Sequence, residues 1–379
     1  MIYKNEKPAI LMLDNGHYIA AMGFGANKKV SGEITFNTIP GSGYIELLTN
    51  PKNKGKIIVC TYPSIGNYGV PSKERDKFGI LKHFESDSIH INGLVVSEYC
   101  DRPSHYESIK TLEEWLIEKD IPAIQWVDTR RLTQFLVEKK TTMGILQVFD
   151  KSSKPNIQAL REEVKELENL NKINLVELVS TQKIKTYSCE NSKGTVLIID
   201  LGLKNNILRI LLEKRMNIIV VPHNYSYNKI MELSHDGILI SNGPGNPKIY
   251  IEITNLIRKL LNKDIPMMGI GLGHILIGLA TGADVYKMKA PHRGGRTTVL
   301  NSTNQCYITY QNHGYCLKNL KQNGFSEYFH DKDDESNEGL IHKYKPIFSV
   351  LFNPEGSPGP LDLRDLIFNK FIESIEVEK

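Results

Sequence analysis

Residues 267–274, MMGIGLGH, run from an apolar stretch through a glycine-rich turn into a second apolar stretch, HILIGLATG. The pattern predicts a buried strand, a sharp turn and a helix. In a strand–turn–helix of the form G-x-(Cys/Ser)-x-G, the central residue is a nucleophile held in strained backbone at the top of a parallel sheet. The central position here is Gly271. Glycine suits such a backbone because it has no Cβ to clash at positive φ. It also has no side chain with which to attack a carbonyl. The turn therefore keeps the scaffold of acyl-transfer chemistry and lacks its nucleophile. A phosphate-cradling loop would need G-x-G-x-x-G in the first βα turn of its unit. Gly269, Gly271 and Gly273 are spaced G-x-G-x-G and belong to a late strand, which argues against a dinucleotide site.

Other side chains near this turn could supply chemistry. His274 closes the glycine segment, His313 sits within QNHGY (311–315), and Cys306 and Cys316 flank that motif. Both histidines are expected to be satisfied structural groups at the upper edge of the sheet. Neither cysteine lies on an elbow, so neither has a route to the lowered pKa of a reactive thiol.

The elements that must carry these residues are legible in the periodicity. From Gly194 onward, strand-like runs TVLIID (195–200), NIIVVP (217–222), DGILIS (236–241) and PIFSVLF (346–352) alternate with helical patterns at 205–215 and 250–264. That alternation predicts βαβ units and a doubly wound, mostly parallel sheet. Before residue 150 the chain is a β-rich α/β region, with segments such as KIIVCTYP (56–63) and INGLVVSEY (91–99). It holds one clear helix over 108–120, where Leu112, Trp115 and Leu116 form an apolar stripe. Trp115 and Trp126 are both expected in the core. A polar stretch with a helical pattern at 157–171 gives a division into an N-terminal domain (1–150), a linker (151–192) and a C-terminal domain (193–379).

Composition removes several function classes. The chain has 379 residues, enough for two domains with separate cores. A net charge of +4 from 47 basic and 43 acidic residues is too balanced to argue for nucleic acid. Five cysteines without C-x-x-C spacing indicate neither a zinc site nor a disulfide framework. The start MIYKNEKPAILML has no signal-like h-region, and no apolar run reaches a spanning length, so a cytoplasmic protein without membrane contact is expected.

Several motifs together carry a family resemblance. SNGPGNP (241–247), QNHGY (311–315), NPEGSPGP (353–360) and the elbow resemble the glutaminase domain of class I glutamine amidotransferases. GEITFNT (32–38), GYIELLTNP (43–51), TYPSIGNYG (61–69), VDTRRLT (127–133) and LGLKNNILR (201–209) resemble the small subunit of carbamoyl-phosphate synthetase. KTTMGIL (140–146) and NEGLIHKYKP (337–346) are similar to fused animal synthetases. The resemblance spans essentially the whole chain. It implies a Cys–His–Glu glutaminase, in which a thiolate attacks the glutamine amide and a histidine shuttles the proton. Carried onto this sequence, the nucleophile falls on Gly271, the base on Asn353 and the orienting carboxylate on Glu355. Asn does not titrate near neutral pH and cannot act as a general base. Only Glu355 survives, with no imidazole left to orient.

The substrate positions implied by the resemblance are Lys52, Gly243, Gly245, Leu272, Ile275, Asn312, Gly314 and Tyr315. Lys52 stands where the family has a serine and Ile275 where it has a glutamine, so glutamine binding is expected to be weak or absent. The matching glycines equally suit a turn after a parallel strand. The resulting expectation is a small-subunit homologue with a dead glutaminase site. It would act as a structural or allosteric partner of a large synthetase subunit that uses ammonia to supply carbamoyl phosphate for arginine or pyrimidine synthesis. No phosphate-binding loop is evident, so ATP and Mg would reside only in that large subunit and this chain would carry no cofactor or metal. Two alternatives stand beside it: an active glutaminase subunit using relocated groups, and a regulatory ligand-binding module without a synthetase partner.

Overall fold

The computed structural model describes residues 7–38, 43–139, 143–153, 155–167, 172–320 and 323–377. The chain divides into two compact units. One comprises Met1–Glu74 with Lys82–Ile173, and the other Arg75–Leu81 with Asn174–Lys379. The change of unit after Ile173 falls in the polar stretch 151–192.

The first unit is built on β1 (Lys7–Leu13), β2 (Tyr18–Gly25), β3 (Lys29–Asn37), β4 (Lys56–Cys60), β5 (Gly93–Val95), β6 (Pro122–Gln125) and β7 (Met143–Val148). They close into a barrel in the order β1-β2-β6-β5-β4-β3-β7, with β3 to β6 parallel to one another. Leu11, Ile57, Val59, Val95, Ile124 and Leu146 fill one apolar cluster. Helices α1 (Tyr44–Thr49), α2 (Leu112–Glu118), α3 (Thr129–Lys139) and α4 (Ile157–Glu163) accompany the barrel. α2 begins at a capping box: Thr111 accepts from the Glu114 backbone N–H, and the Glu114 carboxylate accepts from the Thr111 backbone N–H. Its stripe of Leu112, Trp115 and Leu116 is buried. Trp126 departs from expectation. It sits just after β6 in left-handed backbone at φ 65°, its N–H tied to the Ser97 carbonyl at 2.9 Å, and 46% of its surface is exposed. The helical pattern at 157–171 yields the short α4 and a 3-10 turn, Val164–Glu166, and its end lies outside the described residues.

The second unit contains β8 (Lys185–Tyr187), β9 (Gly194–Asp200), β10 (Met216–Pro222), β11 (Gly237–Ile240), β12 (Met267–Ile270), β13 (Asp284–Leu300), β14 (Gln305–Lys318), β15 (Phe325–Asp331), β16 (Asn337–His342) and β17 (Ile347–Val350). Among the described residues they form one sheet in the order β14-β13-β15-β16-β17-β12-β11-β9-β10-β8. The centre, β17-β12-β11-β9-β10, is parallel, as the alternation of strands and helices predicts. Antiparallel strands extend it at both flanks, most of all the long β13–β14 pair.

Both faces of the parallel centre are buried, which is why β9 reads as a continuous apolar run. Leu197 and Ile199 join one cluster with α7 (Ile251–Leu260) and α8 (Leu272–Thr281). Val196 and Ile198 join the other with α5 (Asn205–Glu213) and α9 (Arg364–Val377). α6 (Tyr227–Glu232) buries Ile230 beside α7. The segment 75–81 belongs here through Ile80, which packs in the α5–α9 cluster, and through Arg209, whose Nη1 donates to the Leu81 carbonyl at 2.6 Å. Among the described residues no helix is long and apolar enough to cross a membrane.

Candidate active site

β12 and β17 are parallel neighbours, with Gly269 opposite Ser349 and Ile270 opposite Val350. The residues that follow them therefore emerge side by side at the C-terminal edge of the sheet, the edge where α/β folds bind ligands. Gly271 is the first residue past β12, and Asn353 and Glu355 follow shortly after β17. Gly271 lies at φ 57°, ψ −109° and leads directly into α8. Its N–H donates to the Val350 carbonyl at 2.9 Å, and its carbonyl accepts from the Ile275 N–H at 3.2 Å. This is elbow backbone, sparsely populated for any residue with a Cβ. Nothing projects from it.

The neighbouring glycines separate into two kinds. A Cβ on Gly273 would lie 2.2 Å from the Ile240 carbonyl oxygen, so glycine lets α8 press against β11. A Cβ on Gly243 would lie 2.3 Å from the Leu201 carbonyl oxygen, and Gly245 sits at φ 92°. Close packing or backbone conformation accounts for all three. Gly314 is different: a Cβ there would meet nothing nearer than Pro291 at 3.7 Å.

Asn353 is fixed by its backbone, whose N–H donates to the Tyr310 carbonyl at 2.9 Å. Its side chain is 1% exposed, and neither amide atom has a hydrogen-bond partner among the described residues. A buried polar group in that state costs about 1–3 kcal/mol. Glu355 is engaged in a buried ion pair. Its Oε1 accepts from the Lys204 ammonium at 2.8 Å, and both side chains are completely buried. Lys204 also donates to the Gly356 carbonyl at 2.7 Å, while Asn206 Nδ2 donates to the Glu355 backbone carbonyl at 2.5 Å. Lys204 escaped the sequence reading as a site residue. The available signal was a lone lysine at the apolar junction between β9 and α5, in LGLKNN.

Of the remaining predicted positions, Leu272 and Ile275 are buried on α8 within an apolar cluster. Asn312 Oδ1 accepts from Arg293 Nη1 at 2.9 Å, and Gly314 and Tyr315 lie half-buried on β14. Lys52 belongs to the first unit, in a 3-10 turn (Pro51–Asn53) where its backbone N–H donates to Asn50 Oδ1 at 3.0 Å.

Among the described residues, the histidine and cysteines nearest the elbow motifs are placed as follows. Burial pushes His274 down to about 3, and its Nδ1 pairs with Ser349 Oγ at 2.9 Å, so it stays neutral. Burial pushes the Cys316 thiol up to about 12, and its sulfur faces the Asn337 carbonyl oxygen at 3.2 Å. Cys306 is exposed on β14, ten positions before Cys316 in the sequence. The site thus has elbow backbone at Gly271, an uncharged Asn353 and a buried carboxylate held by a lysine.

Residues 11–146 match the family described as the carbamoyl-phosphate synthase small chain, CPSase domain, and residues 197–374 match glutamine amidotransferase class-I. The carbamoyl phosphate synthase arginine-specific small chain of Saccharomyces cerevisiae is 40% identical over 97% of this chain and 89% of its own length. The carbamoyl phosphate synthase small chain of Pyrococcus furiosus is 38% identical over 99% of both. A segment making up 24% of the human mitochondrial carbamoyl-phosphate synthase [ammonia] is 38% identical over 98% of this chain.

Proposed function

Because this chain belongs to the carbamoyl-phosphate synthase small-chain family, we propose that it is a small chain whose glutaminase site is dead, retained as a structural or allosteric partner of a large synthetase subunit. The observation that carries this reading is Gly271 in elbow backbone, with Asn353 shortly past the neighbouring strand β17, at the position the family resemblance gives to the base. Removing nucleophile and base together costs such covalent mechanisms on the order of 10⁶-fold in rate, by analogy with serine hydrolases. Carbamoyl phosphate would then be made from free ammonia, with ATP and Mg bound by the large subunit. The human relative supports this, since its name specifies ammonia. The arginine-specific name of the yeast relative favours service to arginine synthesis.

A glutaminase driven by relocated groups has little support, because the buried Cys316 thiol is pushed away from ionisation. The deciding experiment combines the purified chain with its cognate large subunit. The expected result is co-elution, ammonia-dependent carbamoyl phosphate formation, and no glutamine-dependent ammonia release above buffer. Glutamine turnover that a cysteine alkylator abolishes would overturn the dead-site reading. Failure to co-elute at micromolar concentrations would overturn the partner role and favour a free-standing regulatory module.

A further inference from the structure

Away from the elbow, the antiparallel extension of the sheet gathers His292 on β13, His313 on β14 and Glu338 on β16 into one buried cluster. Their exposures are 2%, 6% and 0%. Neither oxygen of the Glu338 carboxylate accepts a hydrogen bond of normal geometry. Its Oε1 instead faces two imidazole nitrogens, His313 Nε2 at 3.0 Å and His292 Nδ1 at 3.4 Å. Cation ligands at bond lengths of about 2.0–2.2 Å in a tetrahedral site lie about 3.4 Å apart. The three donor atoms all fall within 4.8 Å of one another.

The outer contacts match what metal-binding imidazoles need. Each must direct its other ring nitrogen to an acceptor, which fixes the tautomer and the ring plane. His292 Nε2 lies 2.9 Å from Asp334 Oδ2, and His313 Nδ1 lies 3.1 Å from the Tyr315 carbonyl oxygen. Asp334 itself is 44% exposed. His292 Nδ1 also lies 2.5 Å from Gln311 Oε1, so without a metal that nitrogen donates a proton to the amide oxygen. On metal binding this proton leaves to solvent.

We propose that His292, His313 and Glu338 form a binding site for one divalent cation of the zinc class, an N₂O donor set with one position open to water or a further ligand. The competing account is a metal-free cluster in which His292 is an imidazolium paired with Asp334 and Glu338. Bound metal would tie β13, β14 and β16 together and hold His313 between Asn312 and Gly314. The site is independent of the glutaminase question, since none of its ligands is a catalytic position.

The test uses the full-length chain, stripped with chelator and titrated with Zn²⁺ or Co²⁺. The expected result is one metal per chain after dialysis, visible d–d bands of a four-coordinate cobalt centre, and a higher melting temperature with metal. Glu338→Gln and His292→Asn should each abolish stoichiometric binding. Asp334→Asn, which leaves the ligands in place, should weaken it about 10–100-fold. Cys306→Ser should bind as the parent does, which excludes a stray thiol site. Circular dichroism of each variant before metal addition distinguishes lost ligation from lost folding. The proposal is overturned if the folded parent binds neither ion at micromolar concentration, or if Glu338→Gln binds one equivalent as tightly as the parent.

Discussion

Lys204 and Glu355, 151 residues apart in sequence, meet at 2.8 Å with neither side chain reaching solvent. A lysine at the β9–α5 junction holds the carboxylate, so Glu355 is half of a buried ion pair.

Breaking that pair from one side should be severe. Glu355→Gln or Lys204→Met leaves one buried charge uncompensated, and removing a single partner of a buried pair costs about 3–5 kcal/mol. The double variant removes both charges and should recover much of the loss. Urea unfolding of the three proteins checks this; two single variants as stable as the parent would show the pair to be energetically idle.

Restoring a thiol at the elbow should not restore hydrolysis. Gly271→Cys puts a Cβ back at φ 57°, which costs on the order of 1–3 kcal/mol, and provides no base beside it. Adding Asn353→His should give the first measurable glutaminase rate. Ile275→Gln should then be a mixed change, because its amide enters an apolar cluster. The series is read as kcat/KM for glutamine beside melting temperature. Substantial turnover from the single Gly271→Cys protein would contradict the site described here.

The two kinds of glycine should respond differently to alanine. Gly273→Ala forces a methyl to within 2.2 Å of the Ile240 carbonyl oxygen and should cost about 1–3 kcal/mol or more through overpacking. Gly314→Ala meets only ordinary contact distances and should leave stability within about 0.5 kcal/mol of the parent. Equal losses would show that the α8–β11 approach is not what requires Gly273.

Acid should weaken the first unit through His90. Burial, with the Lys54 charge adding to it, lowers this histidine from 6.5 to about 4. Its Nε2 contacts Ser86 Oγ at 2.9 Å. The unfolded chain then binds more protons than the folded one between those values, so stability rises with pH across that window. The contribution is complete above about pH 6.5 and is lost as pH falls toward 4. His90→Gln should flatten the dependence of unfolding free energy on pH in that range. An unchanged slope would assign the acid sensitivity to other groups.

What the sequence discloses, and what it withholds, follows from the range of the forces involved. The elbow, the parallel strands and the α2 stripe are local patterns of period 2 or 3.6, and each appears near its predicted place. That the centre of this turn is a glycine, Gly271, is read from a single position. Trp126 is exposed where its apolarity predicts core, since side-chain type carries no information about the left-handed backbone at that position. The Lys204–Glu355 pair and the His292–His313–Glu338 cluster are assembled from distant strands, and no single window of sequence contains either. The β13–β14 extension was equally hidden, since its mixed polar residues and glycines resemble loop more than strand.

The segment Arg75–Leu81 leaves the first unit, docks Ile80 among the side chains of the second, and returns. The polypeptide therefore passes between the units three times, after Glu74, after Leu81 and after Ile173. No single scission yields two whole parts. A fragment starting at Asn174 would open an unfilled apolar recess where Ile80 had been, and a fragment ending at Ile173 would carry that stitch as an exposed, sticky loop. Limited proteolysis at the polar stretch should thus nick the chain without releasing either half, and the two pieces should travel together until a denaturant pulls the stitch out.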